Sequence, residues 1–303
     1  MHLKKIALIY NPSAGFQSKG LFGLNKYIAM HRVEKNSQTA DDIQALFKEH
    51  NISVEILVLN KGVEMNQWLV KRVSTLDAVV VAGGDGTMNS ALPFCVNHKI
   101  PLGVIPIGSA NVLAYALNIP ADIKKAVQCI VSNKQTAIDV GSINHQYFAA
   151  MAGIGFDAAV IKNTDKKLKQ TYGPIIFVIQ CIKQCLAPVK PINLTIDGET
   201  LTCYFALILN AKYYLGKYCV SDQIEMNDGN LDVLLFQTKN RLKWIKFLYH
   251  LIKNKNKKIK EISLKKAKKI IVNTPVSVHI DAEYIGDIKT EIKIKNNGLS
   301  IFV

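Results

Sequence analysis

The chain has 303 residues, of which 49% are hydrophobic and 20% are charged, and its formal net charge is +15. This composition excludes an intrinsically disordered chain and predicts a globular protein with a sizeable core, in one large domain or two of ordinary size. The basic excess predicts a surface that attracts anions: nucleic acid, anionic lipid or phosphorylated small molecules. Six cysteines show neither a CxxC pair nor a zinc-type spacing, so we interpret them as reduced thiols.

In the first part of the chain, short apolar strands alternate with amphipathic helices. The alternation predicts βαβ units and therefore a parallel sheet covered by helices on both faces. Segment 16–38 fits no periodicity well, and we interpret it as a mobile insertion. Strands are predicted at 4–10, 53–60, 77–83 and 101–108, and helices at 39–50, 64–74, 88–97 and 109–118.

The pattern changes near residue 137, and strands predominate from there on. Short polar turns such as Asp197-Gly198 separate pairs of strands, which favours antiparallel pairing. Only two helices are expected in this half, at about 171–186 and 241–254. The predicted organisation is an α/β domain over 1–137 and a β-rich domain over 138–291, with the tail of about 292–303 as a candidate to return to the first domain.

Three loops built from small residues follow the ends of predicted parallel strands. They read NPSAG at 11–15, GGDGTMN at 83–89 and PIGSAN at 106–111, and the last two also open helices. In open α/β sheets, ligands bind beyond these strand ends, and N–H groups at a helix N-terminus bind phosphate. Three such loops on one edge predict a phosphate- or nucleotide-binding site. Neither the P-loop pattern nor the dinucleotide fingerprint occurs, so phosphate must be bound in another way.

These loops resemble those of the diacylglycerol kinase catalytic family, which also includes sphingosine and ceramide kinases. The GGDGTMN turn is shared with NAD kinases and phosphofructokinases, whereas PIGSAN narrows the resemblance to the lipid kinases. Further motifs follow in the family's order: AGIGFDAAV at 152–160, MNDGNLDVLLF at 226–236 and VHIDAEYI at 278–285. The resemblance covers nearly the whole chain. It implies an α/β plus all-β fold, with an N-terminal doubly wound parallel-sheet domain that carries the GGDGT loop and a C-terminal antiparallel β-sandwich domain.

The resemblance also implies an ATP site. Asp85 is expected beside the phosphates and magnesium. Asn60 is the nearest polar substitute for the threonine that the family usually has at the end of the second strand, so it is assigned the same nucleotide contact. The other residues assigned to the ATP site are Asn11, Pro12, Ser13, Ala14, Gly15, Gly83, Gly84, Gly86, Thr87, Met88, Asn89 and Ser109.

In the family, the two acids of the IDAE element would serve the acceptor hydroxyl. We assign the base that takes the lipid proton to Glu283, with Asp281 as the close alternative. Positions i and i+2 of a strand share one face, which lets the two carboxylates act together. Ala282 replaces the glycine that the family usually has, so the φ angle of Ala282 shows whether this turn needs a left-handed residue.

The implied reaction also needs a metal ion. Phosphoryl transfer requires a fixed triphosphate, a base and a metal that neutralises developing charge. The family places a Mg²⁺ at its DG turn, which assigns the metal here to the Asp228 carboxylate and to backbone oxygens near Glu225 and Asn230. The Asp228-Gly229 pair is also typical of a plain β-turn.

The segment 239–269 contains 13 Lys or Arg residues and a single acid. Its first part has an apolar helical stripe, and two interpretations of that stripe are open. Either it packs on the β domain, or the segment docks on anionic lipid headgroups. The stripe consists of Leu242, Ile245, Leu248, Tyr249 and Ile252.

Neither a secretory signal nor a bilayer-spanning segment is expected. The N-terminal apolar run is short, and the run at 173–188 contains Lys183 and is shorter than the roughly 20 residues that span a membrane. We therefore expect a cytoplasmic protein that associates peripherally with membranes through 239–269 and does not bind nucleic acid, with a homodimer as the candidate assembly.

The sequence thus predicts a lipid kinase that uses ATP and Mg²⁺ to phosphorylate a diacylglycerol-like or long-chain-base lipid. An NAD kinase-like phosphotransferase is one alternative, although the second glycine-asparagine loop of that family is missing. A basic nucleic-acid-binding protein is the other, although the aromatic residues of the basic segment lie near one apolar helix. The histidines His145, His250 and His279 share no spacing, and we interpret them as structural or exposed.

Overall fold

The computed structural model describes residues 3–14, 40–59, 64–164, 174–214, 217–253 and 259–303, without the side chains of 174–178. The predicted insertion at 16–38 and the site residues Gly15 and Asn60 therefore lie outside the described residues. The chain forms two compact units, which we describe separately. In described residues, the first unit comprises 3–14, 40–59, 64–138 and 297–303, and the second comprises 139–164, 174–214, 217–253 and 259–296.

A parallel sheet forms the centre of the first unit. Its strands are β1 (Lys5–Tyr10), β2 (Ser53–Val58), β3 (Ala78–Gly83) and β4 (Leu102–Pro106), in the order β4–β3–β1–β2. Ile301, near the C-terminus, pairs in parallel with Leu102 of β4 and extends the sheet. Every residue of β3 is buried, as expected for a central strand covered on both faces.

Helices connect these strands, and all four predicted helices are found with shifted ends. They are α1 (Ala40–Lys48), α2 (Met65–Val70), α3 (Asp85–His98) and α4 (Val112–Ala116), with a 3₁₀ turn at Val73–Thr75. A further helix, α5 (Ile123–Val131), was not predicted. The sequence does contain an N-cap residue for this helix. Asp122 caps it by accepting a hydrogen bond from the Lys125 N–H at 2.9 Å.

The second unit is antiparallel. Its strands are β5 (Gln135–Ile143), β6 (Gln146–Phe148), β7 (Met151–Ile154), β8 (Ile192–Ile196), β9 (Glu199–Cys203), β10 (Phe205–Leu209), β11 (Tyr213–Tyr214), β12 (Tyr218–Cys219), β13 (Leu231–Phe236), β14 (Ile262–Ala267), β15 (Lys269–Ile280) and β16 (Glu283–Phe302).

The main ladder of this unit runs β14–β13–β10–β7–β15–β16, and β8 pairs with both β15 and β9. Within the long strand β15, Ile270 pairs with β8 and Val278 pairs with β7. The pairing of β15 with β16 shifts register between Val272 and Val276 and again between Val278 and His279.

The parallel α/β unit and the antiparallel β unit confirm the predicted fold class. The β unit also carries α6 (Phe156–Lys162), α7 (Pro174–Leu186) and α8 (Arg241–Ile252). The short helix α6 was not predicted. The aliphatic core of this unit includes Ile154, Leu194, Ile208, Val233 and Val278, all fully buried.

Helix α8 is held to the β unit by an aromatic cluster. Phe205 and Phe236 stack with ring centroids 4.4 Å apart, and Trp244 packs against both rings. The Trp244 indole N–H donates to the Thr238 carbonyl at 2.9 Å, so its polar atom is satisfied within the core. Trp244 and Leu251 therefore anchor the helix.

The predicted apolar stripe of α8 faces solvent. Leu242 is 74% exposed and Ile245 is 53% exposed, so the interpretation that the stripe packs on the β domain is wrong for these positions. On α7, Ile182 and Leu186 are also exposed, by 60% and 82%. Among the helices described, we find none with the length and apolar character needed to cross a bilayer.

Gly141 gives a test of the packing of this unit. It lies directly across from the fully buried Phe148, and a Cβ atom at Gly141 would fall 1.9 Å from the Phe148 Cζ atom. We expect Gly141→Ala to lower the free energy of unfolding by about 2 kcal/mol, because an overpacked core must shift. Urea denaturation measures this, with Ser142→Ala at the neighbouring position as control. A Gly141→Ala protein as stable as the wild type would contradict the described pairing.

Candidate active site

The first and second small-residue loops of the first unit are fastened to each other. Both leave adjacent parallel strands, β1 and β3, at the same edge of the sheet. The Asn11 backbone N–H donates to the Ala82 carbonyl at 3.0 Å, and the Asn11 side-chain amide donates to the Thr87 hydroxyl at 2.8 Å. The NPSAG and GGDGTMN loops thus form one hydrogen-bonded surface.

The second and third loops approach each other through glycine. A Cβ atom built on Gly108 would lie 2.4 Å from the Cα atom of Gly84, so the two backbones are too close for any side chain at Gly108. This contact brings the PIGSAN loop against the N-terminus of α3. All three predicted loops therefore meet at the C-terminal edge of the parallel sheet, where such folds bind ligands.

Asp85 ties the same two loops together. One oxygen of its carboxylate accepts a hydrogen bond from the Val112 N–H at 2.8 Å, and Val112 is the first residue of α4. Burial raises the pKa of Asp85, while hydrogen bonds from backbone N–H groups at Val112 and Asn111 act in the opposite direction. The carboxylate in the glycine turn therefore has a structural partner in addition to the ligand role that the sequence predicts.

Asn111 ends the PIGSAN motif and has a structural role that the sequence does not predict. Asn111 has a φ of 48°, and its side chain accepts from the Gly108 N–H at 3.1 Å and donates to the Gly108 carbonyl at 2.8 Å. It thereby shapes the loop that carries Ser109. The predicted ATP-site residues differ in exposure: Pro12, Ser13, Gly86 and Ser109 are exposed, Asn11, Ala14, Gly84, Asp85 and Asn89 are half-buried, and Gly83, Thr87 and Met88 are buried.

In the second unit, the IDAE element forms a two-residue hairpin turn. Ile280 of β15 pairs with Glu283 of β16, which leaves Asp281 and Ala282 as the turn. Their φ angles are 42° and 65°, so both adopt the left-handed conformation that a type I′ turn requires. The position where the family usually has glycine thus does need positive φ, and Ala282 adopts it despite its Cβ atom.

The Asp281 carboxylate is occupied by the backbone. It accepts hydrogen bonds from the N–H groups of Ala149 at 2.9 Å, Ala150 at 3.1 Å and Met151 at 2.7 Å. The Asp281 N–H donates in turn to the Met151 carbonyl at 2.8 Å. Glu283 is exposed at the first position of β16. Asp281 therefore lies in a turn and fixes it, so the expectation that the two acids share one face of a strand is wrong, and the choice of Glu283 as the base stays a prediction.

The buried side-chain amide of Asn210 connects this turn to the NDGN turn. The sequence did not predict a role for this residue. Asn210 is 1% exposed, and its side chain donates to the carbonyls of Asp139 and Ala149, both at 2.7 Å. The Asp139 carboxylate accepts from the Gly229 N–H at 2.7 Å. A continuous set of hydrogen bonds therefore joins Asp281, through segment 149–151, to the predicted magnesium turn.

The NDGN turn combines acids with a lysine. The Asp228 carboxylate accepts from the Asn230 N–H at 2.9 Å and forms an ion pair with Lys266. Asp232, the cross-strand partner of Lys266, is 2% exposed, and burial raises its pKa to about 6. One Asp232 oxygen has no hydrogen-bond partner in the described part of the chain.

Mg²⁺ is the metal expected at this turn. Three or more His, Cys, Asp or Glu residues do not form a metal-holding group anywhere in the described residues. Mg²⁺ needs only one or two carboxylates, since it keeps water and phosphate ligands. Asp228 supplies one such carboxylate, and Lys266 already pairs with it. Binding of Mg²⁺ at this turn therefore stays a prediction.

Two family models together match nearly the whole chain. Residues 5–143 match the diacylglycerol kinase catalytic domain, and residues 150–303 match the YegS C-terminal NAD kinase beta sandwich-like domain. The chain belongs to the diacylglycerol kinase family. This membership confirms the resemblance drawn from the motifs, and it makes the protein a kinase whose acceptor is a lipid alcohol.

Similar proteins align with nearly the whole length of this diacylglycerol kinase family member. A diacylglycerol kinase of Staphylococcus aureus is 25% identical and covers 99% of this chain and 92% of its own length. An uncharacterized protein of Synechocystis is 27% identical over 97% of this chain and 69% of its own length. The crystal structure of a diacylglycerol kinase from Bacillus anthracis has a TM-score of 0.75 at 22% identity, covering 100% of this chain and 97% of that one, which shows a shared fold.

Ala282 provides a test of the left-handed turn. We expect Ala282→Gly to raise the free energy of unfolding by about 1 kcal/mol, because glycine adopts positive φ without steric cost. The melting temperature should rise by about 2–4 °C. Ala121→Gly is the control, since Ala121 is exposed and has no positive φ. If both substitutions lower the melting temperature equally, Ala282 is not strained.

Proposed function

We propose that the protein transfers the γ-phosphoryl group of ATP to the hydroxyl of a diacylglycerol-like lipid, with long-chain bases as the second acceptor class. The observation that carries the proposal is the hydrogen-bonded meeting of three small-residue loops at one edge of the parallel sheet. The Staphylococcus aureus relative, named as a diacylglycerol kinase, supports the choice of acceptor.

In this proposal the ATP phosphates bind to backbone N–H groups of the loops. Helix α3 has 14 residues and begins inside the glycine turn, so its first N–H groups point toward the loop surface. Gly84 and Gly86 let a phosphate oxygen approach the backbone closely. Because a phosphoryl-transfer enzyme works mainly by positioning, a rigid loop surface of this kind suits the reaction.

Glu283 is the proposed base for the acceptor hydroxyl. It accepts the proton from the lipid oxygen as that oxygen attacks phosphorus, while the pair of electrons in the bond to the leaving group passes to ADP. Asp281 does not take the proton in this scheme. Its role is to hold the turn from which β16 begins, and therefore to fix the backbone of Glu283.

Mg²⁺ dependence is part of the proposal. The ion would be held by Asp228 with oxygens near Glu225 and Asn230, and it would supply positive charge that stabilises the arrangement of acids in the second unit. Lys266 pairs with Asp228 and competes with a cation for this carboxylate. Asp85, assigned beside the phosphates, is the other acid expected to act with magnesium.

One surface of the second unit combines exposed apolar and basic residues, as a surface that binds a lipid bilayer does. We define the docking face as the exposed apolar residues of α7 and α8, and the Arg241 guanidinium joins the two helices by donating to the Ala187 carbonyl. Lys183, Lys246 and Lys253 on the same helices are exposed, and each basic residue near an anionic membrane contributes about 1 kcal/mol. The docking face comprises Ile179, Ile182, Leu186, Leu242, Ile245, Tyr249 and Ile252.

A second candidate function is phosphorylation of NAD. The family model over residues 150–303 is described as NAD kinase beta sandwich-like, which favours a fold shared with those enzymes. The docking face favours the lipid instead, because a water-soluble dinucleotide acceptor gives no reason for apolar residues on two helices to face solvent.

Substitution of the two IDAE acids separates their roles. We expect Glu283→Gln to lower kcat for lipid phosphorylation by about 10²- to 10⁴-fold, the usual contribution of a general base. Its melting temperature should stay near that of the wild type. Asp281→Asn should lower the melting temperature, since three backbone N–H groups lose a charged acceptor. Glu199→Gln, at an exposed glutamate paired with Lys265, is the control.

The assignment of the base is wrong if the pattern is reversed. That result would be a Glu283→Gln protein with near-normal turnover, together with an Asp281→Asn protein that keeps the wild-type melting temperature and has no turnover.

Vesicle sedimentation tests the docking face. We expect the protein to bind phosphatidylserine-containing vesicles, and Leu242→Ser with Ile245→Ser to weaken binding by about tenfold because buried apolar area is lost. Val70→Ser is the matched control, since Val70 is 46% exposed on the first unit. Equal binding by the double variant and the control would exclude this face as the membrane contact.

A further inference from the structure

A row of three hydrogen-bonded side chains lies directly beside the Asp281-Ala282 turn. His279 is 1% exposed, and its Nε2 atom lies 2.7 Å from an oxygen of the Asp157 carboxylate. The Tyr214 hydroxyl donates to the other Asp157 oxygen at 2.8 Å. Burial raises the pKa of Tyr214 well above its usual value, so the tyrosine keeps its proton and acts as a donor.

The turn itself determines the protonation of the imidazole. The Ala282 backbone N–H donates to Nδ1 of His279 at 3.3 Å. A backbone N–H can only donate, so Nδ1 must be the unprotonated nitrogen. The proton is then on Nε2, which donates to Asp157. His279 is therefore a neutral imidazole whose tautomer is fixed on both sides, and its burial agrees with the interpretation of this histidine as structural.

The surrounding backbone leaves room for this arrangement. Gly153 is the cross-strand neighbour of His279, and a Cβ atom on Gly153 would lie 2.1 Å from Nε2 and 3.0 Å from the Asp157 carboxylate. The AGIGFDAAV motif thus supplies both the space for the imidazole and the carboxylate that binds it.

The bond to His279 acts on the strained residue of the turn. Ala282 has a φ of 65°, a conformation that is unfavourable for a residue with a Cβ atom. Asp281 is held by the backbone at 149–151, whereas the Ala282 N–H donates to His279. Because His279 accepts a hydrogen bond from the Ala282 N–H, it stabilises the left-handed conformation of Ala282. Other conformations of Ala282 would move the start of β16.

We propose that His279 is a positioning residue of the kinase reaction: held by Asp157 and Tyr214, its neutral imidazole keeps the Asp281-Ala282 turn, and with it Glu283, in the geometry that proton transfer requires. The proposal rests on the proposed function, in which Glu283 is the base. The hydrogen bond from His279 matters because residue 282 is alanine. A glycine at 282 would adopt positive φ without this bond.

Two substitutions of His279 keep one hydrogen-bonding position each. His279→Asn retains a polar acceptor near the place of Nδ1, and His279→Gln retains a donor near the place of Nε2. We expect His279→Gln to lower kcat about tenfold, as for one lost hydrogen bond at a positioned group, with the KM for ATP unchanged. His279→Asn should lose less than about threefold by the same reasoning. Ala282→Gly added to His279→Gln should restore most of the lost kcat.

Melting temperatures of the wild type, His279→Gln, Ala282→Gly and the double variant form a parallel double-mutant cycle. We expect Ala282→Gly to stabilise the His279→Gln protein more than it stabilises the wild type. Equal stabilisation in both backgrounds, or equal kcat losses in the Gln and Asn variants without rescue by glycine, would overturn the proposal. If the wild type phosphorylates no lipid, the proposed function fails, while the melting-temperature cycle still decides whether His279 holds the turn.

Discussion

The candidate site of the second unit depends on one carboxylate, that of Asp281, and the three backbone N–H groups that it binds. The turn places two consecutive L-residues in the left-handed conformation, which costs about 1–2 kcal/mol for each. Hydrogen bonds to a charged acceptor contribute about 1.5–3 kcal/mol each, so the three bonds outweigh that cost. Glu283 follows immediately in the chain, and its backbone position is a consequence of these bonds.

The first unit uses a carboxylate in a similar way. Asp85 stands in a glycine turn where a ligand role is expected, yet it also caps α4 across 27 residues of sequence. In both units, an aspartate of a family motif fastens the segment on which the motif lies to a second segment. A substitution of either aspartate therefore changes the shape of the site as well as its charge, and stability must be measured alongside activity.

The fold class could be predicted from the sequence because it depends on local patterns of apolar and turn residues. The strands around Val80 and Leu102 are apolar runs separated by helical periodicity, and the turn at 197–198 is a hairpin signal. The sequence did not predict α5, although Asp122 supplies a capping side chain. For α8 the sequence left two interpretations open. A stripe of aliphatic residues and a single tryptophan compete for the core, and only the tertiary aromatic cluster around Trp244 decides between them.

The roles of site residues were less accessible to sequence reasoning. The motifs led to Asp85, Asp281 and Glu283, and their assignments to ATP, base and metal stay predictions. The partners of Asp281 lie up to 132 residues away in the chain, and the link between His279 and Asp157 spans 122 residues. No spacing rule connects such positions. A histidine two residues before the turn carries no local signal that distinguishes an anchor from an ordinary core residue.

The proposed function requires that a lipid alcohol receives the phosphoryl group. The most direct measurement is the transfer of label from γ-labelled ATP, in the presence of Mg²⁺, to mixed vesicles of diacylglycerol or a long-chain base, with NAD offered separately. We expect label in a chloroform-soluble phospholipid product and none in NADP. Label found in NADP alone, or no label in either phase, would contradict it.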